Sequence, residues 1–203
     1  MLPWLLASYL LGAIPTSYLT ARLLRGINLR EHGSRNLGAT NLYRVLGWKF
    51  AIPVGIFDAA KGAIPVLVFA PQASSSELFA LVCGMTAVLG HVFSVFVGFK
   101  GGKGVATAAG VMLALTPAAL GVSFAVWLAI VLISGYVSLG SIASAAIFPL
   151  AVRLLDPPEQ SAIWWLDIAV AAAIIWLHRA NIVRLLKGTE NRFGRRAAPS
   201  ADP

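Results

Sequence analysis

Long apolar runs separated by short polar segments form the main pattern of this chain. Residues 1–21 contain no charged residue, and similar apolar runs cover about 51–70, 78–99 and 161–177. A transmembrane helix needs about 20 predominantly apolar residues, within a range of about 17–25. We therefore predict spanning helices at about 3–23, 51–70, 78–99 and 161–177. No basic segment precedes the first run and no small-residue cleavage site follows it, so we expect a retained helix rather than a signal peptide.

The stretch from Gly104 to Val152 contains no charged residue and fits either two long helices or three short ones. Helix breakers at Thr116-Pro117 and around 134–136 favour three helices, at about 105–115, 118–134 and 138–153. The first of these covers only about 17 Å at a rise of about 1.5 Å per residue. We therefore expect that it does not cross the membrane alone in a lipid-exposed position.

The basic residues decide between six and seven spans. All Lys and Arg residues except Lys61 and Arg153 fall in three segments, 22–49, 100–103 and 179–196. Cytoplasmic loops of membrane proteins carry an excess of Lys and Arg. Seven spans place all three segments on the cytoplasmic side, whereas six would put the basic tail outside. The pattern predicts seven helices, with the amino terminus outside and the carboxyl terminus in the cytoplasm.

Composition supports a membrane protein and excludes an ordinary soluble fold. Hydrophobic residues make up 58% and charged residues 12% of the 203 residues, against about 25% charged in soluble domains. Cytoplasmic loops then explain the net charge of +8 without nucleic-acid binding. The single cysteine, Cys83, rules out an intramolecular disulfide. We predict one all-α membrane-embedded domain over 1–203, with some helices short or broken and 191–203 as a flexible tail.

A glycine-rich loop with two lysines lies between two apolar runs, at Phe99–Thr107. Glycines leave backbone N–H groups uncovered, and the helix that we predict from Val105 adds partial positive charge at its N-terminus. With two ammonium groups beside them, this pattern favours phosphate binding, a plain basic loop at the membrane surface being the alternative. It is not a Walker A loop, because a glycine follows Lys103 and the spacing fails. The candidate phosphate-binding residues here are Lys100, Gly101, Gly102, Lys103, Gly104 and Thr107.

A second polar cluster covers 33–41 and is followed by Arg44. Its small hydroxyl and amide side chains alternate with glycine, so that a ligand could approach the backbone closely and be hydrogen-bonded. Arg44 can hold a phosphate or a carboxylate with two hydrogen bonds. A helix cap and turn is the alternative, although a plain cap needs only one such residue. The candidates in this cluster are Ser34, Asn36, Gly38, Thr40, Asn41 and Arg44.

A third cluster follows the last predicted span, at His178–Glu190. His178 and Asn181 are three residues apart, which places both side chains on one face of a helix. An interfacial basic helix that holds anionic lipid is the alternative, but it explains the His–Asn pair and Glu190 less well. The span count places this cluster on the same cytoplasmic face as the other two.

Two ionisable residues, Asp58 and Lys61, lie inside the second predicted span. Such groups are costly in a membrane unless they are paired or face a polar cavity. We expect them to pair with each other, or with Arg44 and the loops, in a structural role. His91, in the third span, is by itself more typical of a satisfied buried histidine than of a catalyst.

Several patterns are missing, and this narrows the chemistry. The eight acidic residues are scattered, with no pair spaced to hold a metal, which argues against a Mg²⁺-dependent phospholipid synthase. No histidine is followed by a carboxylate five residues later, and no G-x-S-x-G nucleophile elbow occurs. The sequence therefore predicts phosphate recognition at the membrane surface without a metal or another cofactor.

The three motifs together resemble those of the bacterial acyl-phosphate:glycerol-3-phosphate acyltransferases, the PlsY family. The resemblance runs from Leu11 to Glu190. It implies seven helices in the bacterial inner membrane with an active site that faces the cytoplasm. It also implies transfer of an acyl chain from acyl phosphate to the 1-hydroxyl of sn-glycerol 3-phosphate, giving lysophosphatidic acid and phosphate. Expected partners are these substrates, membrane lipids and an enzyme that produces acyl phosphate.

The resemblance also assigns roles to residues. It implies catalytic roles for Ser34 and Arg44 of the first motif and for His178 and Asn181 of the third. Lys103 and the glycines of the second motif are implied to bind glycerol phosphate.

Three further residues differ from these in their expected roles. Glu190 is expected to be structural, and Lys100 is expected to anchor the loop at the membrane interface rather than to be the main phosphate ligand. Arg35 stands where the family usually has glycine, and it adds a charge beside Ser34.

The sequence leaves the proton acceptor open between His178 and the phosphate of the acyl phosphate. It also leaves two other functions open. A small anion or phosphate transporter fits the short, broken helices and the charged residues within a span, although the polar clusters gather at one face rather than at the midplane. A lipid-binding scaffold is the third possibility.

Overall fold

The computed structural model describes residues 1–158 and 161–193, and within these ranges it contains helices and no β-strand. The α-helices are α1 Leu2–Ala13, α2 Thr16–Arg25, α3 Ala39–Leu46, α4 Trp48–Ile64, α5 Glu77–Val92, α6 Val105–Leu115, α7 Pro117–Ser134, α8 Val137–Leu155, α9 Ser161–Leu177 and α10 Arg179–Leu186. A π-helical segment, Pro65–Phe69, and a 3₁₀ turn, Ala70–Gln72, continue α4, and a second 3₁₀ turn covers Val95–Val97.

Four helical stretches are long and apolar enough to cross a membrane: Trp48–Gln72, Glu77–Val97, Pro117–Ser134 and Val137–Leu155. A fifth is formed if α9 and α10, which meet at a bend of 54°, count as one span. Two shorter apolar helices, α1 and α6, accompany them. The prediction of three helices between residues 104 and 152 is confirmed, with breaks at Thr116 and at Gly135-Tyr136.

The first apolar run is not the single helix that we predicted at 3–23. It forms α1 and α2, separated at Ile14-Pro15. Proline has no backbone N–H and pushes the preceding residue out of the helical region, and Ile14 accordingly has a ψ of 113°. Absence of charge showed that the run is apolar, but Pro15 decides its geometry.

Small residues allow two helix pairs to pack with their backbones in close contact. A Cβ atom on Gly12 of α1 would lie 2.0 Å from the Ala87 carbonyl oxygen of α5. A Cβ atom on Gly62 of α4 would lie 1.9 Å from the Thr107 carbonyl oxygen of α6. Such glycine contacts are typical of helix interfaces in membranes. They fix the end of α5 and the start of α6, between which the glycine-rich loop runs.

The apolar side chains form an interior and an exposed outer surface. The largest buried cluster includes Leu81 of α5, Val111 of α6 and Val152 of α8. A second cluster, with Leu37 and Leu42 at its centre, lies under the first polar motif. On the outside, Leu132 and Ile133 of α7 are 75% and 87% exposed, as lipid-facing side chains would be.

The segment after α10 is packed against the helices in its first part. Phe193 stacks on Tyr43 of α3 with ring centroids 4.6 Å apart, and its N–H donates to the Gly135 carbonyl oxygen at 2.6 Å. Phe193 therefore contacts α3 and the turn between α7 and α8, and the flexible tail from 191 stays a prediction. The rest of the predicted tail, 194–203, lies outside the described residues.

Candidate active site

Arg30 joins the first polar motif to the glycine-rich loop. Its guanidinium donates to the Val97 carbonyl oxygen and, at 2.9 Å, to the Lys100 carbonyl oxygen. These partners lie 67 and 70 residues further along the chain. Sequence reasoning missed this role of Arg30, because nothing in a local pattern indicates a contact over such a distance.

Asn41 holds the first motif in shape rather than facing a ligand. Its side-chain amide donates to the carbonyl oxygens of Leu29, His32 and Asn36 at 2.9–3.2 Å, and its side-chain oxygen accepts the Ser34 N–H at 2.7 Å. It is 1% exposed. These contacts give Asn41 a structural role, and its predicted part in substrate binding stays a prediction. The Ser34 hydroxyl makes no hydrogen bond to the described residues.

Gly101 and Gly102 of the loop pack closely against α5. Their N–H groups are used within the protein and are not offered to a ligand. The N–H of Gly101 donates to the Val92 carbonyl oxygen at 2.9 Å, and that of Gly102 donates to the His91 carbonyl oxygen at 3.1 Å. A Cβ atom on Gly101 would lie 2.0 Å from the latter oxygen. These two N–H groups are therefore already used within the protein, and phosphate binding by Gly101 and Gly102 stays a prediction. The donors that remain are those of the first turn of α6, which have no partner inside the helix and no side-chain cap.

Lys103 connects the glycine-rich loop to the third motif. Its ammonium donates to the Asn181 side-chain oxygen, and the Asn181 amide donates to Glu190 Oε1 at 2.8 Å. Glu190 also accepts from Ser138 of α8 at 3.1 Å and from Arg184 Nε at 2.6 Å. The Glu190 carboxylate thus joins α8 to α10, and through Asn181 it also fixes the position of Lys103.

Three cations surround this single carboxylate. Arg44, Lys103 and Arg184 all act electrostatically on one another or on Glu190. The Arg44 guanidinium reaches the Asn191 carbonyl oxygen at 3.4 Å, while its buried Nε has no hydrogen-bond partner in the described part of the chain. The cluster therefore has two positive charges that Glu190 does not match, together with an unused donor. We call Arg44, Lys103, Arg184 and Glu190 the cationic cluster.

Burial also affects the protonation of the cluster. Burial lowers the pKa of Lys103 to about 8; Arg184 and Arg44 lower it as well, while Glu190 opposes the shift. Burial likewise lowers the pKa of Arg44, and Glu190 again opposes the change. A bound phosphate would replace the lost solvation of these cations and favour their charged forms.

His178 lies at the bend between α9 and α10, as the residue that precedes α10. Its side chain is 3% exposed, and Nδ1 lies 2.8 Å from the Ile174 carbonyl oxygen. Because a carbonyl oxygen can only accept, Nδ1 carries the proton and Nε2 holds the lone pair in the neutral ring. His178 and Asn181 remain neighbours, since the Asn181 N–H donates to the His178 carbonyl oxygen at 2.8 Å.

Two clefts lie beside the glycine-rich loop. An apolar cleft lies between α6, α7, α8 and α9 and has Val105 and Ile174 in its wall. Val105 is the first residue of α6, and the Ile174 carbonyl oxygen accepts from the His178 ring, so this cleft reaches the start of α6 and the end of α9. The second cleft lies beside residues 100–102 of the loop. Its wall includes Arg30, Arg35, Lys100, Gly101, Gly102, Trp176 and Arg179.

The comparisons with known proteins agree with this geometry. A family model described as glycerol-3-phosphate acyltransferase matches residues 2–188. The glycerol-3-phosphate acyltransferase of Chlorobaculum parvum is 44% identical in an alignment of 222 positions, which covers 94% of this chain and 96% of that protein. Its counterpart from Trichlorobacter lovleyi is 46% identical over 190 residues, with 94% and 96% covered. A crystal structure of PlsY, an integral membrane glycerol 3-phosphate acyltransferase, in its glycerol 3-phosphate form matches with a TM-score of 0.87 and 42% identity over 95% of both chains. The chain belongs to the glycerol-3-phosphate acyltransferase family.

Membership confirms the resemblance that the three motifs indicated. The protein is accordingly an integral membrane acyltransferase with several apolar helices. The structure brings the three motifs together through Arg30, Lys103 and Arg44. Within the described residues, no group of three His, Cys, Asp or Glu side chains is placed to hold a metal ion.

The remaining candidates lie at different depths. Asn36, Gly38, Thr40 and Lys100 are partly or fully exposed around the loops, and Gly104 directly precedes α6. Thr107 lies one turn inside α6 and is 0% exposed. It packs against Gly62 of α4, and the prediction that it binds phosphate stays a prediction. The Asp58–Lys61 pair forms as expected, with 2.8 Å between Oδ1 and Nζ.

Sequence reasoning left Arg184 and Ser138 without roles, although both bind Glu190. Arg184 is one of the basic residues of the third motif. Its contact with Glu190, six residues later, forms because α10 ends between the two residues and the chain turns back. Ser138 comes from α8, 52 residues away from its partner. A serine after a helix break carries no signal of such a contact.

Proposed function

We propose that this protein transfers the acyl group of an acyl phosphate to the 1-hydroxyl of sn-glycerol 3-phosphate. The products are lysophosphatidic acid, a precursor in phospholipid synthesis, and inorganic phosphate. The observation that carries the proposal is the cationic cluster, in which Arg44, Lys103 and Arg184 share one carboxylate, that of Glu190, among the described residues. Its two unmatched charges suit a phosphate monoester dianion. The two similar PlsY structures are a glycerol 3-phosphate form and a lysophosphatidic acid form.

Glycerol 3-phosphate binds with its phosphate between the first turn of α6 and the cationic cluster. Lys103 supplies a charge-assisted hydrogen bond, and the unpaired N–H groups of the helix N-terminus supply further donors. Arg44 contributes its buried Nε. Ser34, whose hydroxyl makes no hydrogen bond to the described residues, orients the glycerol part or donates to the developing oxyanion.

The acyl chain of the donor lies in the apolar cleft between α6, α7, α8 and α9. The cleft is lined mainly by apolar side chains such as Met112 and Phe148. Because Val105 and Ile174 lie at its wall, an acyl chain in the cleft would bring its carbonyl end next to the α6 N-terminus and His178.

The chemistry needs no covalent enzyme intermediate. The glycerol 1-oxygen attacks the acyl carbonyl carbon, the bond from that carbon to the phosphate oxygen breaks, and phosphate leaves with the electron pair. An acyl phosphate is already activated, so the enzyme mainly aligns the reactants and stabilises negative charge. The hydroxyl proton goes either to His178 Nε2, whose lone pair the Ile174 contact leaves available, or to the phosphate.

Substitution of His178 distinguishes these two proton acceptors. General base catalysis typically contributes about 10²–10⁴-fold. A fall of about 100-fold or more in kcat for His178→Ala would assign the proton to this ring. A kcat within about threefold of the wild type, with His91→Ala also within that range, would exclude a histidine base and assign it to the phosphate of the substrate.

We further propose seven spans, formed by α1 and α4–α9 in a single membrane-embedded unit. The amino terminus lies outside, and the carboxyl terminus and the active site face the cytoplasm of a bacterial inner membrane. Contacts between loops support this alternation. The Ala119 N–H donates to Asp156 at 2.6 Å at one end of the bundle. At the opposite end, Glu190 and Phe193 contact Ser138 and Gly135.

An assay on the purified protein in detergent tests the main proposal. We expect lysophosphatidic acid from acyl phosphate and glycerol 3-phosphate, and none when acyl-CoA replaces acyl phosphate. Product from acyl-CoA alone would overturn the choice of donor. Phosphate uptake into proteoliposomes without any lysophosphatidic acid would instead support the transporter hypothesis.

A further inference from the structure

A buried ionic group lies directly beneath the glycine-rich loop. Lys61 Nζ is 2.8 Å from Asp58 Oδ1, 3.2 Å from His91 Nδ1 and 2.9 Å from the Ile14 carbonyl oxygen. Lys61 is 0%, Asp58 2% and His91 8% exposed. We call Asp58, Lys61 and His91 the buried triad. It joins α4 and α5 to the break between α1 and α2.

The triad holds the His91 ring in one tautomer and one orientation. An ammonium group has donors only, so Nδ1 of His91 must accept from Lys61, and Nε2 carries the ring proton. The ring cannot rotate without breaking this contact. The far edge of the imidazole therefore occupies a fixed place relative to α4 and α5.

That far edge meets the glycine-rich loop at Gly102. A Cβ atom on Gly102 would lie only 2.2 Å from His91 Nε2. The Gly102 N–H also donates to the His91 carbonyl oxygen at 3.1 Å. His91 thus contacts Gly102 both through its ring and through its backbone, and Lys103 is the next residue.

We propose that His91 is a positioning residue for the phosphate site, acting through Gly102 on Lys103. The inference rests on the proposed binding of glycerol 3-phosphate at Lys103. The ring edge sets how closely the loop approaches α5, and this sets where the Lys103 ammonium stands relative to Asn181 and the α6 N-terminus. A shift of about 1 Å in a positioning contact can cost about 100-fold in rate.

Stability alone does not account for this triad. Burying an ion pair carries a desolvation cost that its attraction often fails to offset, and apolar replacements are frequently as stable. Ionisable groups within a membrane span are costly for the same reason. An apolar side chain at 91, however, would have no partner for Lys61 and so no fixed orientation against Gly102.

The variant His91→Asn tests the role of the ring edge. The asparagine side-chain oxygen takes the place of Nδ1 as an acceptor for Lys61, but the side chain is too short to contact Gly102. We expect the KM for glycerol 3-phosphate and its Kd, measured by calorimetry, to rise about five- to tenfold with kcat changed less than about twofold. The thermal midpoint in detergent should stay close to that of the wild type.

A pair of glycine substitutions provides the matched control. In Gly102→Ala the new Cβ meets the His91 side chain, whereas in Gly101→Ala it meets the His91 carbonyl oxygen, which no side-chain change removes. We expect each alanine to raise the KM and Kd at least about tenfold, because overpacking forces the loop to shift. Adding His91→Asn should lower both constants for Gly102→Ala, where it removes the clash, and should not lower those for Gly101→Ala.

Each outcome decides the inference. An unchanged Kd in His91→Asn, or no rescue of Gly102→Ala by His91→Asn, would overturn it, and a lower thermal midpoint with unchanged Kd would show a purely structural triad. Wild-type protein that binds glycerol 3-phosphate but forms no lysophosphatidic acid would refute the acyl transfer alone, because the Kd values still test His91. Wild-type protein that does not bind glycerol 3-phosphate would refute both.

Discussion

Lys103 and Arg44 are half-buried cations whose hydrogen-bond donors the described residues leave partly unused. Lys103 binds one side-chain oxygen, that of Asn181, and Arg44 has a buried Nε without a partner among the described residues. Arg184, by contrast, is paired with Glu190 at 2.6 Å. At the scale of single residues, the proposed phosphate site is therefore defined by partly buried cations with unused donors and not by the number of basic residues.

Replacing Lys103 by alanine tests the site most directly. A hydrogen bond to a charged group contributes about 1.5–3 kcal/mol, so we expect the KM for glycerol 3-phosphate to rise about 10- to 100-fold. Steady-state kinetics with varied glycerol 3-phosphate measures this. Lys49→Ala, which removes an exposed lysine of α4, is the control and should leave the KM unchanged. Equal effects of the two substitutions would show a general charge effect instead of a specific ligand.

The pKa of Lys103 also predicts the pH dependence. Since that pKa is lowered to about 8, the ammonium is present below this pH and is lost above it. The ratio kcat/KM reports groups of the free enzyme, so for glycerol 3-phosphate it should fall about tenfold per unit as the pH rises beyond about 8. In Lys103→Arg the guanidinium stays charged and this fall should disappear. A fall that persists in Lys103→Arg would assign it to another group.

At the scale of elements, α6 is the support of the site. Its N-terminus follows Lys103. It packs closely against α4 at two glycines, Gly62 of α4 and Gly110 of α6. The sequence predicted the bounds of α6 from the breakers at 116–117 and also predicted the Asp58–Lys61 pair, because both follow from local spacing. It could not predict that the loop N–H groups of 101 and 102 are used by α5, since this contact depends on how two helices meet.

The close contact between α4 and α6 gives a prediction for this support. In Gly110→Ala the new Cβ would lie 1.8 Å from the Ala59 carbonyl oxygen, so the helices must separate. We expect overpacking to lower the free energy of unfolding by about 1–3 kcal/mol, seen as a lower thermal midpoint in detergent. The KM for glycerol 3-phosphate should rise because Lys103 moves with α6. Gly121→Ala on α7 has no atom within 4 Å of its Cβ and should change neither quantity.

At the scale of the whole molecule, distant segments assemble one site at one end of a helical bundle. The first motif, the glycine-rich loop and the third motif are separated in the chain by α4, α5 and then α6–α9. Their meeting at one end could be predicted from the basic segments, because alternate loops share a face. The apolar cleft could not be predicted, because its walls come from four helices whose packing leaves no periodic mark in the sequence.

Cysteine labelling tests the proposed orientation of the bundle. In a Cys83→Ser background, which removes the single buried thiol, exposed positions Ser75 and Lys187 are changed to cysteine one at a time. A membrane-impermeant maleimide should label Ser75→Cys in intact spheroplasts and Lys187→Cys only after permeabilisation. The reverse pattern would place the active site on the outer face.

The break at Ile14-Pro15 has a consequence for the biogenesis of the protein. Helix α1 has 12 residues and covers about 18 Å, against a hydrocarbon thickness of about 30 Å. Its close partners, Ala87 and Gly90 of α5, are synthesised some 75 residues after it. We therefore expect the amino-terminal segment to wait at the translocon or the bilayer surface and to reach its final depth only when α5 has been inserted.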